Sequence, residues 1–288
     1  MKPKTAPFVG LVWDLIRERL TIGGALVLRQ EGEILARLQG CSALKLHLIG
    51  PEACRQAAER MVNTIFGASI YPYQQVAATD SFFGAPSAAV RAEPNFSYFS
   101  FSRITALYEQ TGLKPRLQWN HLQQEAALKA RQHFAGRLYC VHLRSVEPFA
   151  PEESNADGAA WNAFFQRRAA VGQCDFLLIG DDPLPAGLDL RPGLTRATSS
   201  GVDLDLATQL ALIGVSDGFL GMASGLCTAA NFSDTPHVIF KHPAHHPAEM
   251  ARELGTAQAF AFADKRQQLW RREAGAAALD EAFHLISS

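Results

Sequence analysis

Two side chains that suit an anion stand at the end of an apolar run in the second half of the chain. His142 and Arg144 lie in the string CVHLRS, and residues 138–143 predict a buried strand of a parallel sheet. Ligands of open parallel sheets bind beyond the carboxyl ends of the strands, and a guanidinium presents a rigid fork of donors to phosphate oxygens. We therefore expect these residues to lie at a bound pyrophosphate, with Arg144 as its ligand. The alternative is a surface pair between Arg144 and Glu147.

Small and acidic residues follow the next predicted strand. Residues 176–179 read FLLI and are followed by Gly180, Asp181 and Asp182. The carboxyl ends of neighbouring parallel strands meet at one edge of the sheet. Gly180 and Asp181 are therefore expected to contact the ribose or base of a nucleotide. An acidic turn that caps the strand is the alternative.

A loop of small residues leads into a third predicted element. Asp217 precedes a short apolar run, and the string GMASGL brings Ser224 and Gly225 to the start of a helix predicted over residues 222–232. Backbone N–H groups at the start of a helix bind anions. Asp217, Ser224 and Gly225 are thus candidate contacts of the same ligand. The alternative is a glycine-rich turn that lets helix and strand pack closely.

Strands and helices alternate in the first half of the chain. Strands are predicted at residues 8–15 and 44–49, and helices begin after Thr21 and after Pro51, with Gly40 as the stop of the first helix. Alternation of this kind is typical of a parallel sheet with helices on its faces. The first half is therefore predicted to be one α/β unit.

The alternation becomes irregular over residues 67–101, where short strands are expected near Val76 and Phe99, and it restarts at Gly136. We therefore predict an α/β fold of two Rossmann-like halves with parallel sheets. Their predicted bounds are residues 1–135 for the first half and 136–288 for the second, which ends in a helix over residues 266–285.

The whole pattern resembles the two-Rossmann, or GT-B, glycosyltransferases, and in particular the fucosyltransferase-like members. The string with His142 and Arg144 is similar to their HxR strand end, and Ser224 with Gly225 is similar to their donor loop. The resemblance covers residues 136–265 and, more loosely, the first half. It implies that the second half binds the donor, that the first half faces the acceptor, and that the last helix crosses back to the first half.

The resemblance also implies an activity. The protein would be a metal-independent glycosyltransferase that moves a hexosyl or fucosyl group from a nucleotide-diphosphate sugar to an unknown glycan or small-molecule acceptor, with no further cofactor. Asp14 would act as general base on the acceptor hydroxyl, and Gly23 and Gly24 would lie on the acceptor side. For Asp14, an ion pair with Arg17 or Arg19 is the alternative.

Two other activities fit the same pattern. A nucleotide-sugar hydrolase or epimerase would use the same fold and donor site without an acceptor. A non-catalytic GT-B-like protein would keep the fold and lack the reaction. Free sugar, an epimer or the absence of nucleotide binding would distinguish these alternatives from a transferase.

Composition excludes several other classes of protein. Lys and Arg number 27 against 28 Asp and Glu, so no basic field is present for a nucleic acid.

The apolar run that Asp14 interrupts is too short to span a membrane, and we expect a cytoplasmic protein. The five cysteines lack metal-ligand spacing and are expected to be buried free thiols. The histidine-rich loop over residues 241–247 is expected to be stiff and not a metal site, with Lys241 or His242 near the donor.

Overall fold

The computed structural model describes residues 8–78, 90–91, 101–146, 155–172, 174–198 and 203–288. The chain divides into two compact units, Met1–His121 and Leu122–Ser288, whereas the sequence predicted the division after residue 135. The functional assignment of the two halves stays a prediction. The strand predicted near Phe99 lies outside the described residues.

The first unit is a parallel sheet with helices. Its elements are β1 (Phe8–Asp14), α1 (Ile22–Gln39), β2 (Ala43–Ile49), α2 (Glu52–Gly67), β3 (Tyr73–Ala78), β4 (Val90–Arg91) and α3 (Ser102–Thr111). The strands pair in the order β3-β2-β1-β4, and every pair is parallel. The predicted order of strands and helices is confirmed from β1 to β3, whereas β4 was not predicted.

Local signals set the ends of α1. The side chain of Thr21 accepts a hydrogen bond from the backbone N–H of Gly24, which satisfies one of the free donors at the start of the helix. Gly40 ends the helix with a φ of 66°, in the left-handed region that glycine adopts without steric cost. Both features were readable from the sequence because they depend on adjacent residues only.

A buried guanidinium connects three segments of the first unit. Arg29 on α1 is 0% exposed and donates to Glu33 Oε1 at 2.6 Å and to the carbonyl of Ile65 at 2.9 Å. It also donates to the carbonyl of Gln118, and its guanidinium lies 4.6 Å from the ring centre of Trp119. This single side chain therefore ties α1 to the end of α2 and to the segment that precedes the second unit.

The second unit is built around a larger sheet. Its elements are α4 (His121–Arg131), β5 (Arg137–His142), α5 (Gly158–Ala169), β6 (Cys174–Leu178), β7 (Leu194–Arg196), α6 (Leu206–Ile213), β8 (Gly218–Met222), α7 (Cys227–Asn231), β9 (His237–Phe240), α8 (Pro247–Leu254), β10 (Gln267–Trp270) and α9 (Ala276–Ser287). The strand order is β10-β9-β8-β5-β6-β7, again with parallel pairs only.

The strand order of the second sheet reverses at its centre. The chain starts at β5, runs outward through β6 to β7, and then returns to β8 on the other side of β5. This is the order of dinucleotide-binding sheets, in which the ligand crevice opens where the direction reverses. We call the carboxyl ends of β5 and β8 the switch point.

The C-terminal segment corrects one prediction. The helix predicted over residues 266–285 is wrong in its first part, because Gln267–Trp270 forms β10 and pairs with β9. The helix itself, α9, packs on α5 and on the sheet of the second unit, where the rings of Tyr139 and Phe283 lie 4.9 Å apart. Its crossover to the first half stays a prediction.

Two further expectations concern the burial of the cysteine thiols and the absence of a membrane-spanning segment. Cys140 and Cys227 are buried, but Cys54 on α2 is exposed, so the expectation of buried thiols holds for only part of the set. None of the described helices is long and apolar enough to cross a membrane.

The substitution Arg29→Met is expected to lower the free energy of unfolding by about 3–5 kcal/mol, because it leaves the Glu33 carboxylate buried without its cation. Urea unfolding followed by tryptophan fluorescence measures this loss. The double variant R29M/E33Q should regain part of it. Arg17, whose side chain is 68% exposed, is the matched control, and an R29M protein as stable as R17M would contradict the prediction.

Candidate functional site

The switch point brings together two groups that are distant in the sequence. His142, the last residue of β5, lies opposite Gly221 of β8 in the sheet register. Just beyond these strand ends, Arg144 Nη1 makes a long hydrogen bond of 3.5 Å to the carbonyl of Ala223. Arg144 therefore lies against the small-residue loop that contains Ser224, and its role as an anion ligand stays a prediction.

His142 itself is buried beneath this edge, with only 2% of its surface exposed. Its Nδ1 lies 3.2 Å from the carbonyl of Ile179, and because a carbonyl only accepts, Nδ1 carries the hydrogen and Nε2 is the acceptor. Burial lowers the pKa of the imidazole, which keeps it neutral. Nε2 has no hydrogen-bond partner among the described residues and lies 3.9 Å from Asp182 Oδ2.

Gly180 is required by the close packing next to His142. Its φ is +91°, and an added Cβ would lie 2.8 Å from Leu226 Cδ1 and 3.1 Å from His142 Nδ1. The backbone N–H of Gly180 donates to Gln209 Oε1 at 2.7 Å. This glycine therefore holds the end of β6 against the loop after β8, and its role as a nucleotide contact stays a prediction.

The acidic pair after Gly180 divides into two different environments. Asp181 is exposed, whereas Asp182 is partly buried and accepts a hydrogen bond of 3.4 Å from the backbone N–H of Ser145. Its neighbour Arg196 donates to the Asp182 carbonyl at 2.7 Å. Asp182 is thus the carboxylate that faces the segment after β5, although the sequence favoured Asp181.

Asp217 lies apart from the switch point. It directly precedes β8, at the amino edge of the sheet, where its Oδ2 accepts from Arg131 at 2.9 Å and from the backbone N–H of Leu138 at 2.8 Å. The structure therefore does not bring Asp217 together with Arg144. The carboxylate instead fixes α4 to the start of two strands.

The helix that follows β8 is shorter than the sequence predicted. The helix predicted over residues 222–232 is only the five-residue α7, because Met222 still belongs to β8 and the helix begins at Cys227. Ser224 Oγ lies 3.7 Å from Cys227 Sγ, and Gly225 provides a carbonyl for the N–H of Thr228. A helix of this length contributes little dipole, so an anion bound at this loop would depend mostly on side-chain charge.

Lys241 supplies such charge from the neighbouring strand. It directly follows β9, is 6% exposed, and its backbone N–H donates to the carbonyl of Trp270 at 2.9 Å. Burial, and next the positive charge of Arg144, lower the pKa of Lys241 to about 8. The sequence placed this lysine near the donor only as part of a histidine-rich loop.

The lowered pKa values of two histidines after Lys241 reflect the burial and the positive charges at this edge. Burial, followed by the charges of Lys241, His246 and Arg144, lowers the pKa of His245 to about 3. The rings of His245 and His246 lie 4.2 Å apart. His242 Nε2 lies 3.4 Å from Glu273. The positive charges that lower these pKa values also favour an anion near them.

Metal binding has no support in this loop. Among the residues that the structure describes, no three His, Cys, Asp or Glu side chains are grouped so that they could hold a metal ion. The absence of a metal requirement stays an expectation.

Asp14, the predicted base, closes a turn after β1. Its Oδ1 accepts from the backbone N–H of Ile16 at 3.0 Å, and its Oδ2 lies 3.5 Å from Arg17 Nε. The alternative pairing with Arg17 is therefore present. The catalytic role of Asp14 stays a prediction.

The two glycines at the start of α1 are buried. A Cβ on Gly24 would lie 2.4 Å from Trp13 Cη2, so Gly24 is required by the contact between α1 and β1. This packing accounts for one of the glycines without any ligand, and the acceptor-side role of Gly23 and Gly24 stays a prediction.

The second unit also has an open groove of about 900 Å³ along β10. Arg272 in this groove lies 3.7 Å from the ring centre of Trp270 and donates to Glu281 at 2.7 Å. β10 is the edge strand of the sheet, at the far end from β7 and two strands away from β8. The groove is therefore separate from the switch point.

The comparisons with known proteins identify a fold for this chain but no family. No family model and no curated protein sequence matches the chain. Among solved structures, the ADP-heptose LPS heptosyltransferase II of E. coli matches with a TM-score of 0.56 and 11% identity, over 97% of this chain and 98% of that one. A glycosyl transferase family 9 protein of Veillonella parvula DSM 2008 matches with a TM-score of 0.52 and 10% identity, over 93% and 86%.

A third match is to a longer protein. The iron-containing dodecameric glycosyltransferase TibC from enterotoxigenic E. coli H10407 is 18% identical with a TM-score of 0.48, and the match covers 82% of this chain but only 59% of TibC. Neither the heptosyltransferase II nor the family 9 protein is named as a fucosyltransferase, so the finer part of the resemblance has no support here.

The substitution Lys241→Met is expected to raise the free energy of unfolding by up to about 3 kcal/mol at pH 7, because it removes a buried ammonium. The pKa of Lys241 is lowered from 10.5 to about 8. The gain is therefore full below pH 8 and is lost as the pH rises to 10.5, where the unfolded lysine also loses its proton. Urea unfolding at several pH values measures it, with the exposed Lys265→Met as control. A K241M protein less stable than the parent at pH 7 would contradict the prediction.

At sequence identities of 10% and 11%, the similarity to these two structures is evidence for the fold alone. The chain has the α/β fold with parallel sheets that GT-B glycosyltransferases share.

Proposed function

We propose that the protein is a metal-independent glycosyltransferase that moves a sugar from a nucleotide-diphosphate donor to a glycan or small-molecule acceptor. The observation that carries the proposal is the contact of Arg144 with the loop after β8, at the switch point of the second sheet. A guanidinium and a small-residue loop at this position suit a diphosphate.

In this proposal the donor lies across the switch point. Arg144 binds the diphosphate, the backbone of Ser224 and Gly225 approaches it, and Asp181 or Asp182 meets the ribose or base. The names of the matching structures make ADP-heptose the first donor to test. Hexosyl and fucosyl donors follow, because the sequence resemblance implied them.

The reaction moves charge onto the leaving group. The bond between the anomeric carbon and the phosphate oxygen breaks, and its electron pair stays on the diphosphate. The acceptor oxygen forms the new bond to the anomeric carbon, and its proton passes to a base, for which Asp14 is the candidate. Arg144 stabilises the charge that develops on the diphosphate, the usual largest contribution at such a site.

One observation favours a second candidate, a protein of this fold that does not transfer a sugar. The carboxylate of Asp14 is already engaged by the N–H of Ile16 and by Arg17. A hydrolase or epimerase, which needs no acceptor base at this position, is compatible with that geometry, and so is a non-catalytic protein.

A thermal-shift screen against GDP, UDP, ADP, CMP and their sugar conjugates, ADP-heptose included, tests the donor site. A ligand at about a hundred times its Kd should stabilise the protein by roughly 2.7 kcal/mol. The shift should vanish in Arg144→Ala and persist in Arg252→Ala, whose side chain is 68% exposed on α8. A cooperative melt that no diphosphate shifts would overturn the proposal.

Product analysis then separates the candidate activities. A transferase releases the nucleoside diphosphate only when an acceptor is present, whereas a hydrolase releases free sugar without one and an epimerase returns an altered donor. Binding without any turnover would identify the non-catalytic alternative.

A further inference from the structure

His142 has a buried nitrogen atom that receives no hydrogen bond. The side chain is 2% exposed, and Nε2 has no hydrogen-bond partner in the part of the chain that the structure describes. The bond between Nδ1 and the carbonyl of Ile179 uses only one of the two ring nitrogens. An asparagine could make that bond with its side-chain amide, so the bond does not account for Nε2. Buried polar atoms are almost always paired, and one that is not needs a separate explanation.

The contacts of the ring fix the direction in which Nε2 points. Nδ1 donates to the carbonyl of Ile179, so Nε2 carries the lone pair and can only accept a hydrogen bond. The ring fills the space beside Gly180, where an added Cβ would lie 3.1 Å from Nδ1 and 3.3 Å from Cε1. Nε2 lies 3.9 Å from Oδ2 of Asp182. This nitrogen is therefore held toward the acidic turn after β6.

Asp182 has capacity for further hydrogen bonds. Its Oδ2 accepts one long bond of 3.4 Å from the backbone N–H of Ser145, and its side chain is 32% exposed. A carboxylate has about four acceptor positions. Burial lowers the pKa of His142, so the imidazole is neutral and offers no hydrogen to this carboxylate. Two acceptors thus face each other, and a bound molecule that brings two donors would satisfy both.

We propose that His142 is a specificity-determining residue of the donor site, and that its Nε2 and the Asp182 carboxylate each accept a hydrogen bond from one ribose hydroxyl. The inference rests on the proposed function, because it needs a nucleotide at the switch point. Nε2 is buried, so a rotation of the partly exposed Asp182 side chain accompanies binding. Changes of side-chain rotamer are common when a ligand or partner binds.

The order of groups along the sheet edge fits this assignment. Asp182 follows β6, His142 ends β5, and Arg144 contacts the loop after β8. Because β5 lies between β6 and β8, the three groups follow one another along the edge. In dinucleotide-binding sheets the pyrophosphate lies at the first turn, and an acidic residue further along the chain binds the ribose. A nucleoside diphosphate can therefore place its diphosphate at Arg144 and its ribose at His142 and Asp182.

Calorimetric titration of the parent protein with ADP, GDP and UDP, each beside its 2′-deoxy and 3′-deoxy forms, tests the selection of ribose. At least one ribonucleotide should bind about tenfold or more tightly than both of its deoxy forms. The physical reason is that each deoxy form leaves one acceptor of the pair unpaired in the complex. This measurement needs no variant, so it decides the question even where a substitution at residue 142 prevents folding.

The substitution His142→Asn keeps a donor for the carbonyl of Ile179 and removes Nε2. The variant should bind the same ribonucleotide about tenfold more weakly than the parent, and its preference over one of the two deoxy forms should fall toward one. Inorganic pyrophosphate, which has no ribose, should bind to H142N as tightly as to the parent. A thermal melt confirms that H142N is folded, and His284→Asn, at an exposed position of α9, is the matched control that should change neither preference.

Three results would overturn the role of His142. These are equal binding of ribonucleotides and deoxynucleotides by the parent, an H142N protein that keeps both preferences, and a folded H142N protein that binds pyrophosphate more weakly. If nucleotide binding still requires Arg144 in these cases, the proposed function survives. If the parent binds no nucleoside diphosphate, both proposals are overturned.

Discussion

The reversal of strand order between β5 and β8 is the constraint on which the candidate site depends. Connections between parallel strands are right-handed, so the segments that leave β5 and β8 depart toward opposite faces of the sheet. The backbone between them stays open. Arg144, Ser224 and Lys241, which span about a third of the sequence, become neighbours at one edge for this reason. Their proximity is a property of the topology and not of any local motif.

Much of the fold was predictable because its signals are local. The side chain of Thr21 and the glycine at position 40 set the ends of α1 through neighbouring residues only, and apolar runs of four to seven residues predicted most strands. The position of Arg144 at the carboxyl edge of the sheet was also predictable, since it follows the end of a buried parallel strand by two residues. The short β10 was missed because four residues carry too little pattern to exclude a helix.

The rest of the site depends on contacts that a sequence does not encode locally. The burial of Lys241 and its influence on His245 arise from α7, α8 and the segment after β5 together. The sequence assigned Asp217 to the donor because a short strand and a small-residue loop follow it, but a residue before a strand belongs to the amino edge. There its carboxylate is held by Arg131. The same topology that gathers Arg144 and Lys241 therefore keeps Asp217 away.

The position of Arg144 at the switch point has a kinetic consequence. The chain as a whole has a net charge of −1, so an approaching anion is attracted by this one edge and not by the general surface. Exposed fields are screened over about 8–10 Å in physiological salt, whereas a buried pair is screened much less. Salt would therefore slow the arrival of an anion more than it would hasten its departure.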